Sequence, residues 1–303
     1  MDRFTYRLLA HLKVAFENSN GHPHYEVEDS GPSVTARQFY VRELTANLVR
    51  PMAEEHVREY ARGSGEELAG KMRALRSSSA MTFNVLGNEW LTVREPRNGR
   101  GGMLAPGRYH VVYEAQFPTL RRGLPANLDA MLDDRTGRTV ACEMKFLEWV
   151  SGDPLPLKEA YFQREMHRCT SVAETFILVG VRLNAEHFTR YDYAQMFKHA
   201  LALYNACAEG RLPGVTSLKL FNVVWEPPTR SAILTDGDLA WLHDAIACER
   251  REFGRFQELM QPVCKLFDDL GARFSIAYMS VSDLISIVEY PAEERRKLER
   301  YTH

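Results

Sequence analysis

Three short runs constrain this chain more than any other feature: YHVVYEAQF at 109–117, NLDAMLD at 127–133 and RTVACEMKFL at 138–147. Each is rich in β-formers and bounded by turn signals, so three strands are the economical reading. DDRTG at 133–137 separates the last two and is a strong turn sequence, which predicts an antiparallel hairpin.

The flanking segments read mostly as helix. Apolar residues recur at helical spacing over 4–16, a polar loop follows at 18–33, and two further helical stretches are expected at 35–62 and 65–86, the second ending before Gly87. Residues 157–172 read as helical, whereas 175–183 (TFILVGVRL) fits a buried strand or a helix and periodicity does not decide. A helix over 190–208 takes Thr189 as its N-cap, with Asp192 three residues later. SLKLFNVVWE at 217–226 ends at Pro227-Pro228 and reads as a fourth strand. Residues 238–270 are expected to be mainly helical, with a short extended piece at 273–279 and another helix after it. Without linker or internal repeat, one domain over 1–303 is expected, its core at about 65–228 and helical extensions at 1–64 and 229–303.

Strand parity tests which polar residues can meet. On 138–147, Ala141, Glu143, Lys145 and Leu147 share one face, and Cys142, Met144 and Phe146 the other. On 127–133, Leu128, Ala130 and Leu132 form an apolar face that leaves Asp129, with Asn127 and Met131, free to stand beside Glu143. On 109–117 the same rule groups Glu114 with His110, Val112 and Gln116, making it a candidate third carboxylate. Carboxylates converging on one sheet face repel unless a cation neutralises them, and oxygen ligands with retained waters are what Mg²⁺ prefers. A lysine on the same face adds a fixed positive charge, and the set suits phosphodiester hydrolysis: metal to polarise phosphate and acidify water, Lys145 to orient or help deprotonate that water.

Composition narrows the alternatives. With 303 residues, 45% hydrophobic and 26% charged, the chain is neither disordered nor membrane-inserted in type. Formal charge is −2, so any phosphate-binding surface must be local. Candidate clusters are Arg121 with Arg122, Arg94 with Arg97 and Arg100, and Arg295 with Arg296 and Lys297, though such runs are ordinarily solvated surface. The five cysteines are odd in number and widely spaced, fitting neither a disulfide framework nor a zinc site. The N-terminal stretch carries no apolar leader, and a reducing cytoplasm is expected. No GxSxG elbow, Walker loop, HExxH or Rossmann fingerprint is present.

Asp129, thirteen intervening residues, then Glu143-Met144-Lys145 on a hairpin resembles the PD-(D/E)xK nuclease signature; Pro125 precedes Asp129 by four residues, so the literal Pro-Asp pair is absent. More narrowly, SSSAMTFN at 77–84, Glu114, PANLDAML and CEMKFLEW look like restriction-endonuclease-like bacterial proteins, a resemblance spanning about residues 77–205. It implies an α/β fold with a restriction-endonuclease-like core of helix, three strands, helix and strand on a mixed central sheet, with helical N- and C-terminal elaborations. It also implies a role near metal and phosphate for Gln195, which shares a face of the 190–208 helix with Asp192 and His199.

The expected function is a Mg²⁺-dependent deoxyribonuclease in which Mn²⁺ can substitute. Asp129, Glu143, Lys145 and Gln195 would be catalytic; Asp129, Glu143, Glu114 and the main-chain carbonyl of Met144 would hold the metal. Double-stranded DNA is the expected partner, and the helical ends offer a surface for a homodimer. The alternative from another class is a catalytically silent nuclease-fold protein acting as a nucleic-acid-binding or assembly module. Intact Asp, Glu and Lys argue against it; the missing basic excess argues for it.

Overall fold

Each β-rich run pairs with the next. In the computed structural model, which describes residues 2–27, 36–63, 67, 68, 70–95 and 104–302, strands β1 (Trp90–Val93), β2 (Gly107–Phe117), β3 (Ala126–Asp133) and β4 (Arg138–Lys145) form an antiparallel meander. Strand β5 (Ser217–Val224) then joins β4 in parallel and β6 (Arg273–Ser280) joins β5 in parallel, completing a six-stranded mixed sheet in sequence order. β6 is the extended piece expected at 273–279, and β1 adds a strand beyond those expected; at four residues it is too short to be read from sequence.

The helices are α1 (Arg3–Asn20), α2 (Leu44–Asn47), α3 (Glu54–Arg62), α4 (Ser78–Leu86), α5 (Glu148–Ser151), α6 (Ala173–Ala185), α7 (Tyr193–Ala208), α8 (Asp236–Leu259), α9 (Gln261–Leu266), α10 (Val281–Ile287) and α11 (Ala292–Leu298). None of the described helices is long and apolar enough to cross a membrane. The ambiguous run at 175–183 is helical, because Phe176, Val179, Gly180 and Leu183 are buried at helical spacing in α6.

Several expectations need correction. The stretch 35–62 is no single helix: only a 3₁₀ turn, α2 and α3 form, and Pro51 disfavours helical backbone at Arg50 before it. Of 65–86, residues 65, 66 and 69 lie outside the described set, as do 28–33 of the predicted loop; α4 starts only after Ser77, whose hydroxyl caps it through Ala80 N at 3.2 Å. Residues 157–172 hold two 3₁₀ turns rather than a helix, since their backbone is drawn into pairing with 120–121: Leu120 bridges His167, and Arg121 N donates to Met166 O at 2.8 Å. The helix before Leu270 is divided at Met260, with Pro262 at the start of α9.

The sheet separates two apolar cores. Ala141, Leu218 and Leu220 pack with Phe176, Met196 and Phe197 on one face, while Cys142, Met144, Phe221 and Val223 pack with Met81, Phe83 and residues of α1 and α10 on the other. The β3–β4 turn aligns the hairpin: the Asp134 carboxylate accepts the backbone N–H groups of Thr136 and Arg138 at 2.8 and 3.0 Å, and Gly137 closes the turn at φ 102°. A Cβ at Gly137 would also lie 2.9 Å from both Gly214 O and Thr216 Oγ1. Gly137→Ala is therefore expected to destabilise the protein by roughly 1–3 kcal/mol, read as a lower denaturant midpoint at unchanged slope.

Candidate active site

The β3–β4 ladder runs from Asp133 opposite Thr139 to Ala130 opposite Cys142 and stops there. Where Asp129 would pair with Glu143, the Asp129 carboxylate instead accepts the Met144 N–H at 2.7 Å. A side-chain oxygen thus does what a strand carbonyl would have done, and the two strands part at this level. β2 is interrupted at the same level, for its register with β3 passes over Glu114, whose φ is 52°.

This irregularity resets strand parity. Val111, Tyr113, Ala130 and Leu132 belong to one core, but Leu128, with Ala115 and Phe117 packed nearby, belongs to the other. The expectation that Leu128 shares a face with Ala130 is corrected accordingly. Glu114 does not simply join Glu143: its Oε2 accepts the Asn127 amide and lies 2.6 Å from where a Cβ on Gly63, at the end of α3, would stand. Burial, with the negative charges of Glu67 and Glu143, raises the Glu114 carboxyl above its ordinary value, against the Asn127 hydrogen bond.

Glu143 is the hub. It is 3% exposed, and its Oε1 lies 2.9 Å from Lys145 Nζ and accepts Gln195 Nε2 at 2.7 Å, while Oε2 meets His199 Nε2 at 2.9 Å. Lys145 Nζ also donates to Gln195 Oε1 at 2.5 Å, closing a ring of Glu143, Lys145 and Gln195. Helix α7 delivers two of these groups. Asp192, not Thr189, is its N-cap, accepting Gln195 N at 3.0 Å, which fixes Gln195 in the first turn and His199 one turn on. Thr189 is unavailable because its hydroxyl donates to the Glu252 carboxylate at 2.8 Å, which also accepts the N–H groups of Thr189, Arg190 and Tyr191 at 2.8, 2.8 and 2.9 Å.

Charge is unevenly shared between the two carboxylates. Burial alone would raise Glu143, yet Lys145 and His199 hold it at about 2. Asp129 is driven well above the usual aspartate range by burial and then by the Glu143 charge, with the Met144 N–H and Lys145 only partly opposing. Lys145 is pulled upward by Glu143, Glu148 and Asp192 against burial, so its ammonium form is favoured. Lys145 therefore suits charge stabilisation and water orientation better than proton abstraction.

Other candidates serve structure. Ser79 donates to Glu67 Oε2 at 2.8 Å, and Asn84 bonds Val49 N, Asn47 O and the Tyr301 hydroxyl. Arg121 donates to His167 O, Arg94 pairs with Glu289, Lys297 pairs with Glu293, and Arg97 and Arg100 lie outside the described residues. His22 sits 3.6 Å from Glu17, and His110 stands edge-on to Trp90. Glu148 opens α5 and accepts Phe146 N at 2.6 Å. Tyr109, Tyr113, Tyr191, Tyr193 and Phe197 are core residues.

Sequence reasoning passed over Asn222 and Glu249. Asn222 stands opposite Glu143 in the parallel β4–β5 register, a placement that only strand pairing reveals. Among the described residues, no three His, Cys, Asp or Glu side chains are grouped closely enough to hold a metal ion. A family model described as Restriction Endonuclease associating with ARP matches residues 9–262. Neither curated proteins nor solved structures provide a match.

Proposed function

The chain belongs to the family described as Restriction Endonuclease associating with ARP, and on that premise we propose that it is a PD-(D/E)xK-type nuclease, with a restriction-endonuclease-like core, hydrolysing phosphodiester bonds of double-stranded DNA with Mg²⁺. The observation that carries this reading is the parting of β3 and β4, where Asp129 meets Met144 N–H and Glu143 is tied to Lys145 and Gln195.

The donor set fits a hard cation. Burial, and then the Glu143 charge, hold the Asp129 carboxyl toward its neutral form, a conflict that an added positive charge relieves. Mg²⁺ is commonly bound through one or two carboxylates and keeps several waters, so a cluster of three acidic side chains is not required. Asp129, Glu143 and the main-chain carbonyl of Met144 would hold it, with Glu114 as an additional ligand. When bound, it supplies Lewis acidity to phosphate and water.

The chain's own groups do the rest. The Lys145 ammonium faces charge developing on the phosphate oxygens and orients the attacking water. Gln195 keeps Lys145 and Glu143 at fixed separation by donating to one and accepting from the other. His199 positions Glu143 from the opposite oxygen.

Purified protein incubated with supercoiled plasmid and with single-stranded DNA, in Mg²⁺, Mn²⁺ or EDTA, tests the reading. Cleavage is expected in both metals, on the duplex, and not in EDTA. Cleavage that persists in EDTA would overturn the metal-dependent mechanism, and none under any condition would overturn the nuclease.

A further inference from the structure

Lys145 also lines a cavity of about 200 Å³ that the proposed hydrolysis leaves unused. Asn222 of β5, Tyr191 before α7 and Glu249 of α8 line it too, 1%, 1% and 2% exposed. Among the described residues, Asn222 Nδ2, Tyr191 Oη and Glu249 Oε2 find no hydrogen-bond partner. Buried polar atoms are seldom left unpaired, and three on one cavity point to an occupant.

The lining selects among occupants. A phosphate is disfavoured by Glu148 and Asp192, which face the same space. A hard cation is disfavoured because the unpartnered Asn222 Nδ2 is an N–H donor, which cannot ligate one. A neutral, flat group carrying both donors and acceptors suits an amide N–H, a phenol and a carboxyl. Pro154, Leu155 and Met196 supply apolar wall. The volume falls below the roughly 300–1,000 Å³ of drug-sized pockets, which favours a single ring system. Leu155 is 80% exposed at this cavity, among the most exposed large apolar side chains described.

We propose that the cavity receives one nucleobase of the bound DNA, everted from the stack near the scissile phosphate, and that Leu155 enters the space the base leaves. The proposal rests on the nuclease reading. Flipped bases are read by hydrogen bonds to their pairing edge within a shaped pocket, and leucine is among the apolar side chains that wedge between base steps. Carboxyl acceptors match exocyclic amines, so a base bearing one is preferred. Burial, against the pull of Lys145, pushes the Glu249 carboxyl up to about 8, so at neutral pH it both accepts and donates.

Duplexes carrying one 2-aminopurine at successive positions across the bound footprint test this with the full chain in Ca²⁺, anisotropy recording binding separately. Emission is expected to rise roughly fivefold or more at one position as that base leaves the stack. Leu155→Ser, at an exposed position that leaves the fold undisturbed, is expected to lose at least about half of that rise while the duplex still binds. Binding and Mg²⁺-dependent cleavage with no rise at any position would overturn the base pocket, leaving water in the cavity and the nuclease intact. No binding at all would overturn both.

Discussion

Lys145→Met is expected to lower Mg²⁺-dependent cleavage by about a hundred- to a thousandfold, the scale on which removing a group that faces a developing oxyanion acts. The same substitution costs stability for a separate reason. Glu143 is buried, and without the ammonium 2.9 Å from its Oε1 its partners among the described residues are His199 and Gln195. Breaking a buried pair from one side costs roughly 3–5 kcal/mol, whereas replacing both partners is often neutral. The double variant Glu143→Gln/Lys145→Met should therefore regain most of the lost denaturation midpoint and remain inactive. Cleavage within tenfold of the wild type in either variant would sink the assignment. Recovery of activity together with stability would show that the pair holds the fold and nothing else.

The contrast between what sequence displayed and what it hid follows from the physics of each signal. Parity on β4 is local: Glu143 and Lys145 must share a face, and they do, with Ala141 packed on the same side. Asp129 beside that pair needed only the DDRTG turn to set the hairpin, and the turn formed. The helical spacing of Asp192, Gln195 and His199 likewise needed nothing beyond α7 itself.

What sequence hid depended on contacts from elsewhere. Thr189 looks like an N-cap until Glu252 of α8 takes its hydroxyl. The run 157–172 looks helical until residues 120–121 claim its backbone. Parity assumes an unbroken strand, so it could not anticipate Glu114 at φ 52° turning toward Asn127 and the end of α3. Asn222 and Glu249 belong to elements that meet Lys145 only once β5 and α8 are in place.

Glu249→Gln tests the most perturbed of these hidden groups. Facing it are Lys145, Arg190, Tyr191, Asp192, Glu252 and Tyr278, a set in which burial outweighs the cations and its carboxyl rises to about 8. An unfolded glutamate titrates near pH ~4.3. The native state thus retains a proton that the unfolded chain has released. The associated stability is fully present below the unfolded value and is lost progressively as pH rises to about 8, then falls no further. Glu143 has the opposite sign: held at about 2, its contribution is present above the unfolded value and is lost as pH falls toward about 2. Comparing wild type with Glu249→Gln cancels Glu143, because both proteins contain it. The variant's advantage in unfolding free energy is expected to grow by about 1 kcal/mol per pH unit between pH ~5 and ~8 and then level off. Parallel denaturation curves across that window would mean that Glu249 is already ionised, and the cavity beside Lys145 would then be lined by a charged carboxylate, which cannot donate to a base.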